Sequence, residues 1–296
     1  MFRSRLFWTL VFLFSVLLLN GAEKIAVSAG LPPVAYIVRA VGGDLVTVNS
    51  MLPEGRSPHD HAPGPRELRR AVKSKVFFTT NMLYEQRITR ALKGKVRTVD
   101  ISKNIRRIPL ESGKHDHHHC GLDHHSCGGD SESGDPHVWL SPVNCGVIAS
   151  AAAAELSRIA PVHKAVFQKN AEQFAQKMRK LHESMLKKFA PYKGRSFFVY
   201  HPAFGYFAQL YHLHQHAIEL GGREATPGRM SAVIKKAAAS GVKVIFVQKQ
   251  FNPASARALA SAIKGEVMEL DPLAADVEKN FNMICEAMLK GFSRGK

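Results

Sequence analysis

The chain has 296 residues, with 41 Lys and Arg against 24 Asp and Glu, for a formal net charge of +17. That length suits two modest domains, and the composition is otherwise that of a globular protein. A basic surface suits nucleic acid, anionic lipid or an acidic partner, but the cations are spread along the chain without a basic block or a base-stacking aromatic-glycine motif. Nucleic acid is therefore excluded, and the charge reads as a solubility trait.

Residues 1–22 begin with Arg3 and Arg5, pass through an apolar run at 6–19 and end on Gly21 and Ala22. This is the pattern of an export signal cleaved near Ala22. The run is shorter than the roughly 20 residues of a spanning helix, and no cysteine follows it to carry a lipid. Four cysteines, Cys120, Cys127, Cys145 and Cys285, would normally pair in an exported protein. Their connectivity stays open, as does metal binding by the first two.

Strands are expected over 24–30, 45–52, 75–81 and 95–102, and helices over 32–43, 65–74 and 84–94. Short apolar strands alternating with amphipathic helices predict a parallel sheet with crossover helices, in a first lobe at 23–160. The connection from 103 to 136, His-rich at about 111–134, is too long and polar for an ordinary loop. An Ala-rich helix starts at Pro142. A second helix, 163–190, has no internal Gly or Pro, and Val166, Phe167, Phe174, Met178, Leu181, Met185 and Phe189 form one apolar stripe along it. It is too long for a typical crossover. Strand–helix alternation resumes in a second lobe at 193–296, with a strong strand at 242–250 and a closing helix after Ala274. Beyond this rough symmetry there is no internal repeat.

Three histidines share one kind of context: His59 in "LPEGRSPHDHAP", His137 in "GDPHVWLSP" and His201 in "VYHPAFGYF". Each stands beside a proline near a strand end or loop mouth, where open parallel sheets bind ligands. Asp271 in "ELDPLA" is a carboxylate just past the last strand. Neutral imidazoles suit zinc and other first-row divalent ions, and three His with one Asp fill a tetrahedral site. The prolines restrict the backbone and lower the entropy lost when such a site forms. His61 is an alternative to His59, and Asp271 an alternative cap for the closing helix. There is no activated nucleophile and no H-E-x-x-H motif, so no enzyme activity is expected.

The stretches "MLPEGRSPHDHAPGPRELR", "DPHVWLSP", "YHPAFGYFAQLYHLHQHAIE" and "GVKVIFVQKQFNPASARALASAIKGEVMELDPLA" resemble, in order and spacing, the metal-binding periplasmic substrate-binding proteins of the zinc/manganese ABC-transporter family, zinc-uptake type. The resemblance covers nearly the whole mature chain. It implies an α/β fold of two Rossmann-like lobes with parallel sheets, joined by one long rigid helix, with metal in the interlobe cleft. It further implies a periplasmic monomer that captures a divalent transition metal, Zn2+ first, and delivers it to a membrane permease. His59 and His137 would serve from the first lobe, and His201 and Asp271 from the second, with Asp271 a direct ligand or one water away. Two departures stand out. Pro58 precedes the first ligand, near which relatives often carry an acid, and "VQKQF" has Gln248 where the family commonly has Glu, leaving Asp271 as the conspicuous second-lobe carboxylate. A third His goes with zinc over manganese, since nitrogen donors favour zinc. A Mn2+- or Fe2+-binding member is one alternative, and a zinc buffer or adhesin acting through the His-rich loop another. In that loop His115, His117, His118, His119, His124 and His125 form a weak auxiliary set, because a flexible tract loses entropy on ordering.

Overall fold

The computed structural model describes residues 23–110, 134–219 and 226–295. The expected export signal and the His-rich loop, with its six histidines, Cys120 and Cys127, lie outside the described residues.

The first lobe runs β1 (Ile25–Ala29), α1 (Pro32–Gly42), β2 (Val46–Ser50), α2 (Pro65–Val72), β3 (Val76–Thr79), α3 (Leu83–Leu92) and β4 (Arg97–Asp100). Its four strands are parallel, in the order β2-β1-β3-β4. Every residue of β3 (VFFT) is buried, as a strand covered on both faces requires. Prolines open α1, where their missing N–H costs nothing, and Gly43 at φ 55 closes it in the left-handed region.

Two long helices follow. The Ser141 hydroxyl accepts from Asn144 N at the start of α4 (Pro142–Ile159). Next comes α5 (Lys164–Phe189), 26 residues or about 39 Å long. It buries Phe167, Ala171, Phe174, Ala175, Met178, Met185 and Phe189. The expected stripe thus holds except at Val166, which is 45% exposed, and Leu181, which is half-buried. Two alanines join it because α4 approaches closely there; a Cβ on Gly146 would meet that of Ala175 at 3.4 Å. The far end of α5 belongs to the second lobe, where Phe189 meets Phe207, Tyr211 and Phe292.

The second lobe runs β5 (Ser196–Val199), α6 (Gly205–Leu210), β6 (His214–Ala217), α7 (Pro227–Ala239), β7 (Val244–Gln248), α8 (Ala254–Ala262), β8 (Glu266–Leu270) and α9 (Val277–Arg294). Its parallel order, β6-β5-β7-β8, repeats the first. Alternate residues face opposite sides. Phe197, Val199, Val244 and Phe246 join a large core that continues through α4, α5 and the first lobe. Phe198, Ile245 and Val247 join a smaller one with Ala237 of α7 and Leu259 of α8. The closing helix α9 is capped by Asp276, whose side chain accepts from Lys279 N, so Asp271 is not that cap. Cys145 and Cys285 are both buried free thiols. No helix among the described residues is long and apolar enough to cross a membrane.

Candidate metal centre

The three histidines arrive from separate places in the fold. His59 sits in the loop after β2, His137 in the segment that re-enters before α4, and His201 two residues past β5. Each is held differently. The backbone N–H of His137 donates to Asp135 Oδ1 at 2.8 Å, and its Nδ1 lies 2.8 Å from the same oxygen. Asp135 is itself fixed, since its N–H donates to the Ile108 carbonyl and its own carbonyl accepts from Arg107 and from the Tyr206 hydroxyl. At His201, Gln248 clamps the backbone from both sides: Oε1 accepts from His201 N at 3.0 Å and Nε2 donates to His201 O. His201 Nδ1 meets Glu219 Oε1 at 2.5 Å, and Phe251 stacks on the ring with centroids 5.2 Å apart.

These contacts decide the tautomers. A carboxylate can only accept, so Nδ1 of His137 and of His201 carries the proton and Nε2 presents a lone pair. The Nε2 atoms converge: His59 to His201 at 3.1 Å and His201 to His137 at 3.2 Å. All three ligand atoms lie within 4.8 Å of one another. Tetrahedral zinc with Zn–N of 2.0–2.1 Å spaces its nitrogens about 3.3 Å apart. Two of the three spacings already match that value. Lone pairs facing each other at this range repel unless a proton or cation lies between them, so the arrangement favours a bound cation.

Protonation would spoil the site, and the surroundings oppose it. Desolvation, then the nearby His201 and His137 rings, push His59 down to about 3. Part of His59 remains exposed, but its Nε2 points into the cluster. Burial likewise lowers His201, helped by His137 and opposed by Glu219. Both therefore stay neutral, the state that ligates metal.

Two sequence expectations fall elsewhere. Asp271 lies outside the three-His cluster. Its Oδ1 accepts from Gln250 Nε2 at 2.8 Å and from Leu273 N at 2.9 Å. The second-lobe carboxylate that touches a site imidazole is Glu219, correcting the view that Asp271 is the conspicuous one. His61 does not replace His59, because its Nε2 turns to Glu67 at 3.2 Å. Sequence reasoning missed both aiming carboxylates. Asp135 had a local signal, an acid two residues ahead of a ligand candidate. Glu219, eighteen residues from His201, had none, because a neighbouring strand delivers it.

A cleft of about 310 Å³ leads from the imidazoles past Asn81, Leu83, Gln86 and Arg87. Beside it Trp139, 1% exposed, sets its ring 5.5 Å from that of His137. Its indole N–H donates across the lobes to the Pro272 carbonyl at 2.7 Å.

A family model for the zinc-uptake complex component A, periplasmic (ZnuA), matches residues 27–293. The chain belongs to the ZnuA family. Zinc-binding lipoprotein AdcA of Streptococcus pneumoniae is 26% identical over 277 residues, spanning 88% of this chain and 54% of AdcA. The chain thus spans about half the length of that relative. High-affinity zinc uptake system protein ZnuA of Yersinia pestis is 24% identical over 267 residues, spanning 85% of this chain and 84% of its own. A crystal structure of ZnuA superposes with a TM-score of 0.80 at 27% identity, covering 91% of this chain and 99% of that one. A zinc-bound ZnuA deletion mutant gives 0.81 at 25%, covering 91% and 98%. The two-lobed architecture expected from sequence is therefore that of the ZnuA family.

Proposed function

We propose that this chain is the extracytoplasmic solute-binding protein of an ABC transporter, which captures Zn2+ with His59, His137 and His201 and passes it to a membrane permease. The observation that carries this reading is the pairing of Asp135 and Glu219 with the outer nitrogens of two imidazoles, which leaves inner nitrogens aimed at one point. Family membership and the zinc-binding relatives point the same way. Zinc is cargo here, and the site works by holding it. A zinc hydrolase needs a free carboxylate base beside the metal, whereas both carboxylates nearest the imidazoles are spent on ring nitrogens. Asp271 completes the site, as a direct ligand or one water away. The division into lobes at 23–160 and 193–296 with 163–190 as spine, export with cleavage near Ala22, and a monomeric state complete the reading.

Competition titration of the purified apoprotein against Zn2+, Mn2+ and Fe2+ tests it, with one tight zinc equivalent as the expected result. His201→Ala should weaken that equivalent by at least about 100-fold, since one of three nitrogen ligands is lost, while the far-UV circular dichroism stays unchanged. Wild-type affinity in the variant refutes the assignment. Deleting residues 113–133 should leave the tight equivalent and abolish weaker ones contributed by His115, His117, His118, His119, His124 and His125. If the tight one disappears instead, the loop-based buffer is the better reading.

A further inference from the structure

Between residues 61 and 99 ten Lys and Arg stand against two Glu. The fold gathers onto one face what the sequence spreads out. Arg66, Arg69, Arg70 and Lys73 are exposed at helical spacings of three, four and seven along one side of α2. Arg87 and Arg90 do the same on α3, which packs against α2, and Lys93 and Lys95 follow in the turn. Neither glutamate offsets them on this face. Glu67 turns inward to Gly64 N and His61, and Glu85 is completely buried. Among the described residues these eight cations form no ion pair. Two large apolar side chains stand among them, Val72 at 43% and Leu83 at 53% exposure. Leu83 and Arg87 also line the cleft that leads to the imidazoles.

We propose that the α2–α3 face is a docking surface for the anionic headgroups of a phospholipid bilayer, holding the mouth of the cleft against the membrane. Long unpaired side chains in stripes demand no fixed partner register, which suits a fluid headgroup layer better than a sculpted protein surface. Exposed Val72 and Leu83 can enter the boundary beneath the headgroups. Each near-surface Lys or Arg multiplies partitioning about fivefold. The inference rests on the proposed function only for its purpose, release of cargo at the bilayer; docking itself needs no metal.

The test is co-sedimentation of the exported chain, starting at Glu23, with vesicles of equal parts phosphatidylglycerol and phosphatidylethanolamine, and with phosphatidylcholine vesicles as the neutral control. Binding to the anionic vesicles alone, lost as salt shortens the Debye length below about 10 Å, is expected. Reversing Arg66, Arg69, Arg70 and Lys73 together to Glu should cut partitioning at least about 100-fold and leave zinc affinity at the wild-type value, which also reports that the variant is folded. A control reverses Lys164, Lys169, Lys180 and Lys187 on α5, all exposed, for the same change in net charge. It should retain most of the binding. Equal losses in the two variants would mean that only net charge matters and would overturn the proposal, as would failure of the wild-type protein to bind anionic vesicles. Vesicle binding without zinc binding would instead refute the function proposed above and leave this surface standing.

Discussion

The two lobes repeat one backbone and diverge in side chains. Just past β1 of the first sheet, Gly30 N donates to Phe78 O, and Leu52 N donates to Gly30 O. Just past β5 of the second, Tyr200 N donates to Phe246 O, and Glu219 N donates to Tyr200 O. Gly30 therefore corresponds to Tyr200, Leu31 to His201, and Leu52 to Glu219. Where the second lobe carries an imidazole aimed by a carboxylate, the first buries two leucines. One buried acid of the first lobe, Glu85, serves structure: it accepts from Thr80 N, Thr80 Oγ1 and Met82 N, stapling the turn after β3. It also presses on Gly30, where any Cβ would collide with Glu85 Oε1. The first lobe brings its two cluster imidazoles instead from the loop after β2 and from the segment before α4. Topology fixes where groups can meet; the side chains placed there decide whether they form chemistry or core.

That contrast can be pressed experimentally. Among variants of the two buried acids, the larger effect on zinc is expected at Glu219. Glu219→Gln keeps an acceptor on His201 Nδ1 but removes the charge that raises ligand basicity, and should weaken zinc binding about 10–100-fold, measured by chelator competition. Glu85→Gln should do the reverse, leaving zinc affinity unchanged while destabilising the fold by roughly 1–3 kcal/mol in urea unfolding, because its amide puts donors at the buried Oε1 position, which has no acceptor among the described residues. Comparable zinc losses in both variants would erase the distinction between the two acids.

The smallest effect is one of pH. His59 sits at about 3 in the fold against its ordinary 6.5. As pH falls below 6.5 the unfolded chain takes up the proton before the folded chain does, so protonation favours unfolding. This contribution to apoprotein stability is fully present above about pH 6.5 and is lost as pH falls toward 3. Thermal melts should show Tm declining through that window, and His59→Gln should flatten part of the slope. An identical slope in the variant would place the titration elsewhere.

Much of the fold was legible because its signals are local. The strand–helix alternation appears in runs of four to eighteen residues, and the length of α5 follows from an unbroken stretch without Gly or Pro. The three imidazoles were legible because each stands beside a proline outside the regular elements. What escaped depends on tertiary register. Gln248 looked like a missing acid in the sequence; in the fold its amide is the one group able both to accept from His201 N and to donate to His201 O, a task no carboxylate performs. Glu219 was hidden inside a strand-end run and meets His201 only once β6 pairs with β5. Asp271 carried a motif but spends its Oδ1 on the Gln250 amide and on Leu273 N. The cationic face was invisible as a linear block because helical periodicity, not adjacency, assembles it.

Trp139 carries a practical consequence. Of the two tryptophans in the sequence, the other is Trp8, within the first 22 residues. In a chain that starts at Glu23, ultraviolet emission has a single indole source, wedged between the His137 imidazole and a carbonyl of the opposite lobe. Loading and unloading of the cleft can therefore be followed in real time by stopped-flow fluorescence, with no dye attached.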